Sequence, residues 1–282
     1  MGTKHTEKRV IVNADDLGFS QGVTEGIEKA HREGIVTSAT IIANMPGSEA
    51  AARRLVELPG LGVGVHLNVS QGRPLSTEAA LADEDGVMRH TAAGVLMACT
   101  WRPWLLNAIE AEFDAQIRWA LDHGIRPTHL DSHRHSHGFP PVFVRVARLA
   151  RRHNIPFVRR LSEKLPGEGW AVAPAKQRRT RTLLNLFGPA NSLIARRLHG
   201  TLGTWGIAHT GLVDTDFLVR VAGAVQPGVT EVMVHAGLGN DLNDQATRLV
   251  QSRRVETEAL CDPTVRHAFE TNGVKLIHYG QI

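Results

Sequence analysis

Short apolar runs alternate along this chain with stretches in which apolar residues recur every three or four positions. The runs at 9–14, 38–43, 62–68, 128–131, 203–209, 231–235 and 274–278 read as strands, and another strand begins at 156–158. Between them lie helical patterns. Ser20 is placed to cap a helix that runs to about Glu33, with Gly34 as its stop. Residues 48–58 are helical up to Pro59-Gly60. Ile109, Phe113, Ile117 and Leu121 mark a helix over 105–123, and Val142, Val146 and Leu149 another over 140–153. Residues 213–225 and 241–260 follow as helices, and Asp262-Pro263 supplies a cap and first turn for the last.

Strands that alternate with helices predict an α/β protein with a mainly parallel sheet. No glycine fingerprint for a dinucleotide follows the first strand, which favours a (β/α) barrel over an open Rossmann sheet. A chain of 282 residues with 42% hydrophobic content suffices for one such domain. Residues 9–282 are expected to form it, with 1–8 a flexible N-terminus. Two stretches break the alternation and read as insertions. One, near 69–100, is rich in Gly, Asp and Thr and looks like a lid; the other, near 160–200, is basic and irregular.

The net charge of +4 and pI near 9.4 would admit nucleic acid, but aromatics are only 5% and no recognition motif is present, so no nucleic-acid partner is expected. Cys99 and Cys261 are isolated and predict no disulfide framework or cysteine zinc site. The polar start of the chain shows no secretory signal, and no apolar stretch reaches membrane-spanning length. A cytoplasmic protein is expected.

The chemistry concentrates at strand ends, where barrels keep their active sites. Asp15-Asp16 closes the first strand, His66 the third, Asp131 and His133 the fourth, and His235 a late one. Each has a bland alternative: a capping Asp beside a solvated one, or a satisfied core histidine. Together they point to a divalent metal with acid–base partners. Adjacent residues point differently, so one of Asp15 and Asp16 can ligate while the other faces the substrate water. In an extended chain His129, Asp131, His133, His135 and His137 would share one face. One metal cannot use them all, and His133 is the best placed. His135 and His137 are expected around the ligands, against substrate or on the surface. His235 suits a general acid. Two imidazoles and one carboxylate favour zinc or another transition metal over magnesium. Finally, Arg178, Arg179 and Arg181, with Arg196 and Arg197, bracket an apolar stretch. The region 176–199 therefore reads as a solvated basic helix or as a segment resting on an anionic membrane.

The stretch Ile11-Val12-Asn13-Ala14-Asp15-Asp16-Leu17-Gly18, then Gly34 to Thr40, resembles the YdjC-like (ChbG) carbohydrate deacetylase family. So do Gly64-Val65-His66-Leu67-Asn68 and Thr128-His129-Leu130-Asp131-Ser132-His133. The resemblance implies a distorted TIM-like barrel and metal-dependent removal of acetate from an N-acetylated sugar. Carried over by position, Asp15 matches the catalytic base, and Asp16, His66 and His133 the ligands of one divalent ion, Mg2+ or Zn2+. Asn13, Asp131, His135 and His137 are carried as substrate-binding candidates. The family's His-Pro-Gly is here His235-Ala236-Gly237, a departure one residue after the histidine expected to protonate the leaving amine. The C-terminal Ser252-Arg253-Arg254, Glu256, Asp262-Pro263 and Leu276-Ile277-His278-Tyr279 are similar to the hopanoid-associated branch, HpnK. That branch implies a lipid-linked N-acetylglucosamine. With it, peripheral contact at the inner membrane face through 176–199 and a homodimer stay open. The alternatives are a metal-dependent phosphoester hydrolase and a non-catalytic glycan- or lipid-binding module on the same fold.

Overall fold

The computed structural model describes residues 7–77, 79–88, 91–168, 170–196, 198–243 and 247–282. Strand β1 (Lys8–Leu17) leads into α1 (Gln21–Arg32), β2 (Ser38–Ile41), α2 (Ser48–Arg54) and β3 (Gly62–Leu67). Helices α3 (Ala92–Trp101) and α4 (Leu105–Asp122) precede β4 (His129–Ser132), α5 (Pro140–Arg152) and β5 (Phe157–Val158). Then come α6 (Ala175–Ile194), β6 (Thr204–Trp205), α7 (Thr215–Ala224), β7 (Gly228–Val234), α8 (Gln251–Leu260), α9 (Pro263–Thr271) and β8 (Val274–Leu276). Among the described residues every strand pair is parallel, in the order β5-β4-β3-β2-β1-β7-β6, with β8 beside the lower half of β1. The two ends curl together: Phe157 bridges His199, and the Thr204 amide donates to the Ser162 carbonyl at 3.1 Å. The result is the expected distorted TIM-like barrel in a single domain.

The alternation of the strands decides what lies inside. On β1, Val10, Val12 and Ala14 pack outward under the helices. Ile11 faces inward with Phe157, Val229, Ile277 and Tyr279, which fill the bottom of the barrel. Asn13 and Asp15 continue that inner row upward. The other strands repeat it: Thr40, His66, Asp131, Arg159 and Glu231 are all buried toward the same interior. The barrel is therefore apolar at its base and charged above. Gly64 belongs to this packing, because a Cβ there would lie 2.5 Å from the His129 ring. That ring stacks on Tyr279, 3.8 Å between centroids.

Several expectations need correction. Residues 160–200 are not irregular throughout; α6 runs for 20 residues there. Its basic residues hide the helical period, and Gly188-Pro189 reads as a break although the helix continues through it. The first insertion, 69–100, ends in α3 and is tied to the barrel. Buried Glu112 accepts from the Leu75 and Ser76 amides, and Gln116 clasps both backbone groups of Asn68. The helix expected over 241–260 begins only at Gln251, and residues 244–246 lie outside the described residues. The strand expected at 203–209 is two residues long. Of the N-terminus expected to be flexible, 1–6 also lie outside the described residues, and Lys8 is already in β1. No helix among the described residues is long and apolar enough to cross a membrane.

Candidate active site

Asp15 and Asp16 are neighbours in sequence, yet both carboxylates are buried at the same barrel mouth. A strand cannot do that, because its side chains alternate. The backbone supplies the reason. Asp16 adopts φ 71°, and the β1–β2 register shifts between Ala14 and Leu17. Such a conformation costs a non-glycine residue about 1–3 kcal/mol and is held only where surrounding contacts fix it. The bulge turns Asp16 toward His66 and His133 while Asp15 stays in the inner row.

Asp16 Oδ1 lies 3.3 Å from His66 Nε2 and 2.9 Å from His133 Nδ1. The other face of His66 is fixed by Asp131, whose Oδ1 is 2.8 Å from Nδ1. A carboxylate behind a histidine orients the ring and directs its second nitrogen forward. His133, the most exposed of the group at 13%, has Nε2 3.2 Å from Gln71 Oε1, which the first insertion contributes. Burial would push the His66 imidazole down, but Asp131 and then Asp16 raise it to about 10. Burial would raise Asp16, but His133 and Arg253 hold it well below the usual carboxylate range. One carboxylate and two imidazoles thus converge, with ligand atoms within 4.8 Å of one another, in a setting that favours positive charge. The donor set fits a small divalent ion.

A second group, Asp15, His66 and Asp131, also lies within that span. It already holds a cation. The Arg159 guanidinium meets Asp15 through two bonds of 2.7 and 2.6 Å, Asp131 at 2.8 Å and Glu231 at 2.8 Å, all within the interior. Burial would raise the Asp15 carboxyl, yet Arg159 holds it below its ordinary value. Asn13 adds a third bond to Asp15 Oδ1 at 2.9 Å. Asp15 is therefore a fixed, ionised carboxylate.

His235 follows β7. Its amide donates to Glu256 Oε2 at 2.6 Å, and its Nδ1 is buried without a protein partner. Burial lowers this imidazole to about 4, against the opposing charges of Asp15 and Asp16. Arg253 reaches Asp16 Oδ2 at 2.5 Å and leaves Nε and Nη1 unpartnered. Buried polar atoms are normally satisfied. These orphans beside two carboxylates suit a pocket whose remaining partners arrive with a substrate.

The histidine run does not form one extended face. The strand ends at Ser132, and Arg134 and His135 both take positive φ, 54° and 58°. His137 turns into the wall, with Nδ1 2.5 Å from Ser132 Oγ and Nε2 3.3 Å from the Arg159 carbonyl. His135 is half-buried with an unpartnered Nδ1, and burial lowers it to about 3. Asn13 and Asp131 stand behind the charged centre and are fully buried.

Arg159 has no place in the sequence analysis, and Arg253 and Glu256 enter it only through the C-terminal similarity, not as residues of the site. Arg159 sits one residue past β5, a strand end like the others, but carries a guanidinium where those carry Asp or His. Arg253 and Glu256 are three apart on α8, so they share a face, and both are buried. Glu231, a carboxylate inside the apolar strand β7, is a further sequence sign of a buried charge that needs a partner.

Glu256 carries a testable cost. Burial raises it from 4.5 to about 7, opposed by the His235 amide and Arg253. The folded value exceeds the unfolded one, so this carboxyl favours the fold below about pH 4.5, and the contribution is lost as pH rises through about 7. Glu256→Gln cannot ionise. Between pH 4.5 and 8 it should gain on the wild type by up to about 3 kcal/mol in urea unfolding. A constant difference across that range would refute the assignment.

The barrel mouth, with converging ligands on one side and a fixed carboxylate on the other, is the layout of a barrel enzyme. The profile of YdjC-like proteins matches residues 9–271, and the chain belongs to the YdjC-like family. A carbohydrate deacetylase of Geobacillus stearothermophilus is 32% identical over 269 residues, covering 95% of this chain and 96% of that one. One from Halalkalibacterium halodurans is 40% identical over 149 residues, 52% of this chain and 62% of its own length. A crystal structure from Enterococcus faecalis V583, provisionally assigned to cellobiose-phosphate cleavage, superposes with a TM-score of 0.75 at 25% identity and 98% coverage of both chains.

Proposed function

We propose that this protein is a metal-dependent carbohydrate N-deacetylase that hydrolyses the acetamide of an N-acetylated sugar. The observation that carries the reading is the division of labour at the β1 bulge. Asp16 faces two imidazoles, while Asp15 beside it is held ionised by a guanidinium and would take the proton of the attacking water. The carbohydrate deacetylases among its relatives support the substrate class.

Asp16, His66 and His133 would hold the ion. Such an ion polarises a carbonyl and acidifies water. Asp15 accepts the proton of the attacking water, and Arg159 and Asn13 keep its oxygens in place. His235, neutral at rest, would take up at its unpartnered Nδ1 the proton that Asp15 has received from water and pass it to the departing amine, which leaves Asp15 ionised again. Asp131 keeps the His66 ring turned toward the ion. Arg253 balances the charge on the outer oxygen of Asp16. The donor set favours zinc or another transition metal, and magnesium is the alternative. A lipid-linked N-acetylglucosamine, the finer reading, rests on the C-terminal similarity to the hopanoid-associated branch.

A panel of N-acetyl sugars, with and without a lipid aglycone, tests the reading by equimolar release of acetate and free amine. Release from none of them, with a divalent metal supplied, would overturn it. His235→Gln should slow amide substrates about 10²-fold or more and activated acetate esters far less, because an ester leaving group needs little protonation. Equal losses would remove His235 from acid catalysis.

A further inference from the structure

The turn His133–Gly138, which carries one ligand of the proposed ion, is packed by two helices with unusual outer faces. Helix α6 seats Leu184, Phe187 and Asn191 on it: the Phe187 and Phe139 rings lie 6.1 Å apart, and Asn191 donates to the Gly138 carbonyl at 2.8 Å. Its opposite face carries Arg179, Leu183, Leu186 and Leu193, all exposed, Leu186 at 72%. Residues 169–213 include six of the chain's 32 basic residues and none of its 28 acidic ones, so the rest of the chain nets −2. Arg197 lies outside the described residues. Helix α3, on the same turn, has no charged residue. Met97, Trp101 and Trp104 stand exposed at its C-terminal end and just beyond, Trp101 at 79%. The acidic residues Asp83, Glu84 and Asp85 precede its opposite end.

Leucines beside arginines on one helix, and tryptophans on a neighbour, are what the interface of an anionic bilayer recognises. The guanidinium groups meet phosphate, the leucines enter the acyl boundary, and indole rings settle at headgroup level. We propose that the outer faces of α6 and α3 dock this protein on an anionic phospholipid bilayer, with the mouth of the site beside the lipid. This deepens the deacetylase reading, since it would bring the site to a membrane-borne sugar. The binding itself follows from the surface alone.

Co-sedimentation of the full chain with vesicles tests it. Binding is expected to phosphatidylglycerol–phosphatidylcholine vesicles, weakly or not at all to phosphatidylcholine alone, and to fall with salt. Replacing Arg178 and Arg179, both exposed on that side, together by Glu should weaken it about 30-fold. Trp101→Ala with Trp104→Ala should weaken it about tenfold. The arginine variant should deacetylate a soluble N-acetyl sugar at the wild-type rate. Vesicle binding without any deacetylation would sink the catalytic reading and leave this one standing. Absence of binding at low salt, or undiminished binding by the arginine variant, would overturn the proposal. A dimer in light scattering that the same substitutions dissolve, with no vesicle binding, would assign the face to a second copy instead.

Discussion

Asp15→Asn is expected to fold, to take up metal like the wild type, and to lose about 10²–10⁴-fold in kcat. The size follows from the role. Asp15 is held ionised by Arg159 and Asn13 and faces the group of Asp16, His66 and His133 without belonging to it. An amide in its place keeps an oxygen for Arg159 but gives up the charge that draws a proton from water. Its NH2 would also turn a donor toward a guanidinium, so some loss of stability accompanies the change. Single-turnover acetate release alongside metal content separates the possibilities. Activity within a few-fold of wild type would remove Asp15 as base, and lost metal would make it a ligand.

Arg159→Met should destabilise the fold by about 3–5 kcal/mol at neutral pH, because it strands Asp15, Asp131 and Glu231 as buried charges without their shared cation. Without the guanidinium, burial raises the affinity of Asp15 and Glu231 for protons. The penalty should therefore shrink as pH falls from 7 toward 4, where protonation relieves the uncompensated charge. Lysine is no remedy, since one ammonium cannot make the paired bonds to Asp15 while reaching the other two carboxylates. Urea unfolding at both pH values provides the check. A loss below about 1 kcal/mol at pH 7 would mean that the three carboxylates are already neutral in the wild type.

Much of this architecture is legible in the sequence because strand alternation and helix caps are local. Ser20 and Asp262 cap α1 and α9 as expected, with side chains accepting from the Val23 and Thr264 amides. The strand-end rule finds Asp15, Asp16, His66, Asp131, His133 and His235 because each follows a readable apolar run. What it misses is set by tertiary contact. The positive φ of Arg134 and His135, which redirects the histidine run, leaves no local sign, for neither residue is glycine. Arg253 and Glu256 gain their partners across the molecule, at Asp16 and at the His235 amide. Glu231 becomes intelligible only with Arg159, 72 positions away in sequence.

The most direct test of the account is a zinc titration of chelated wild-type protein, following acetate release from an N-acetylglucosamine oligomer. The account predicts no release without metal, a rise that saturates at one ion per chain, and no comparable rise for His66→Ala. Full-rate release in the presence of chelator, or saturation only at two ions per chain, would contradict it.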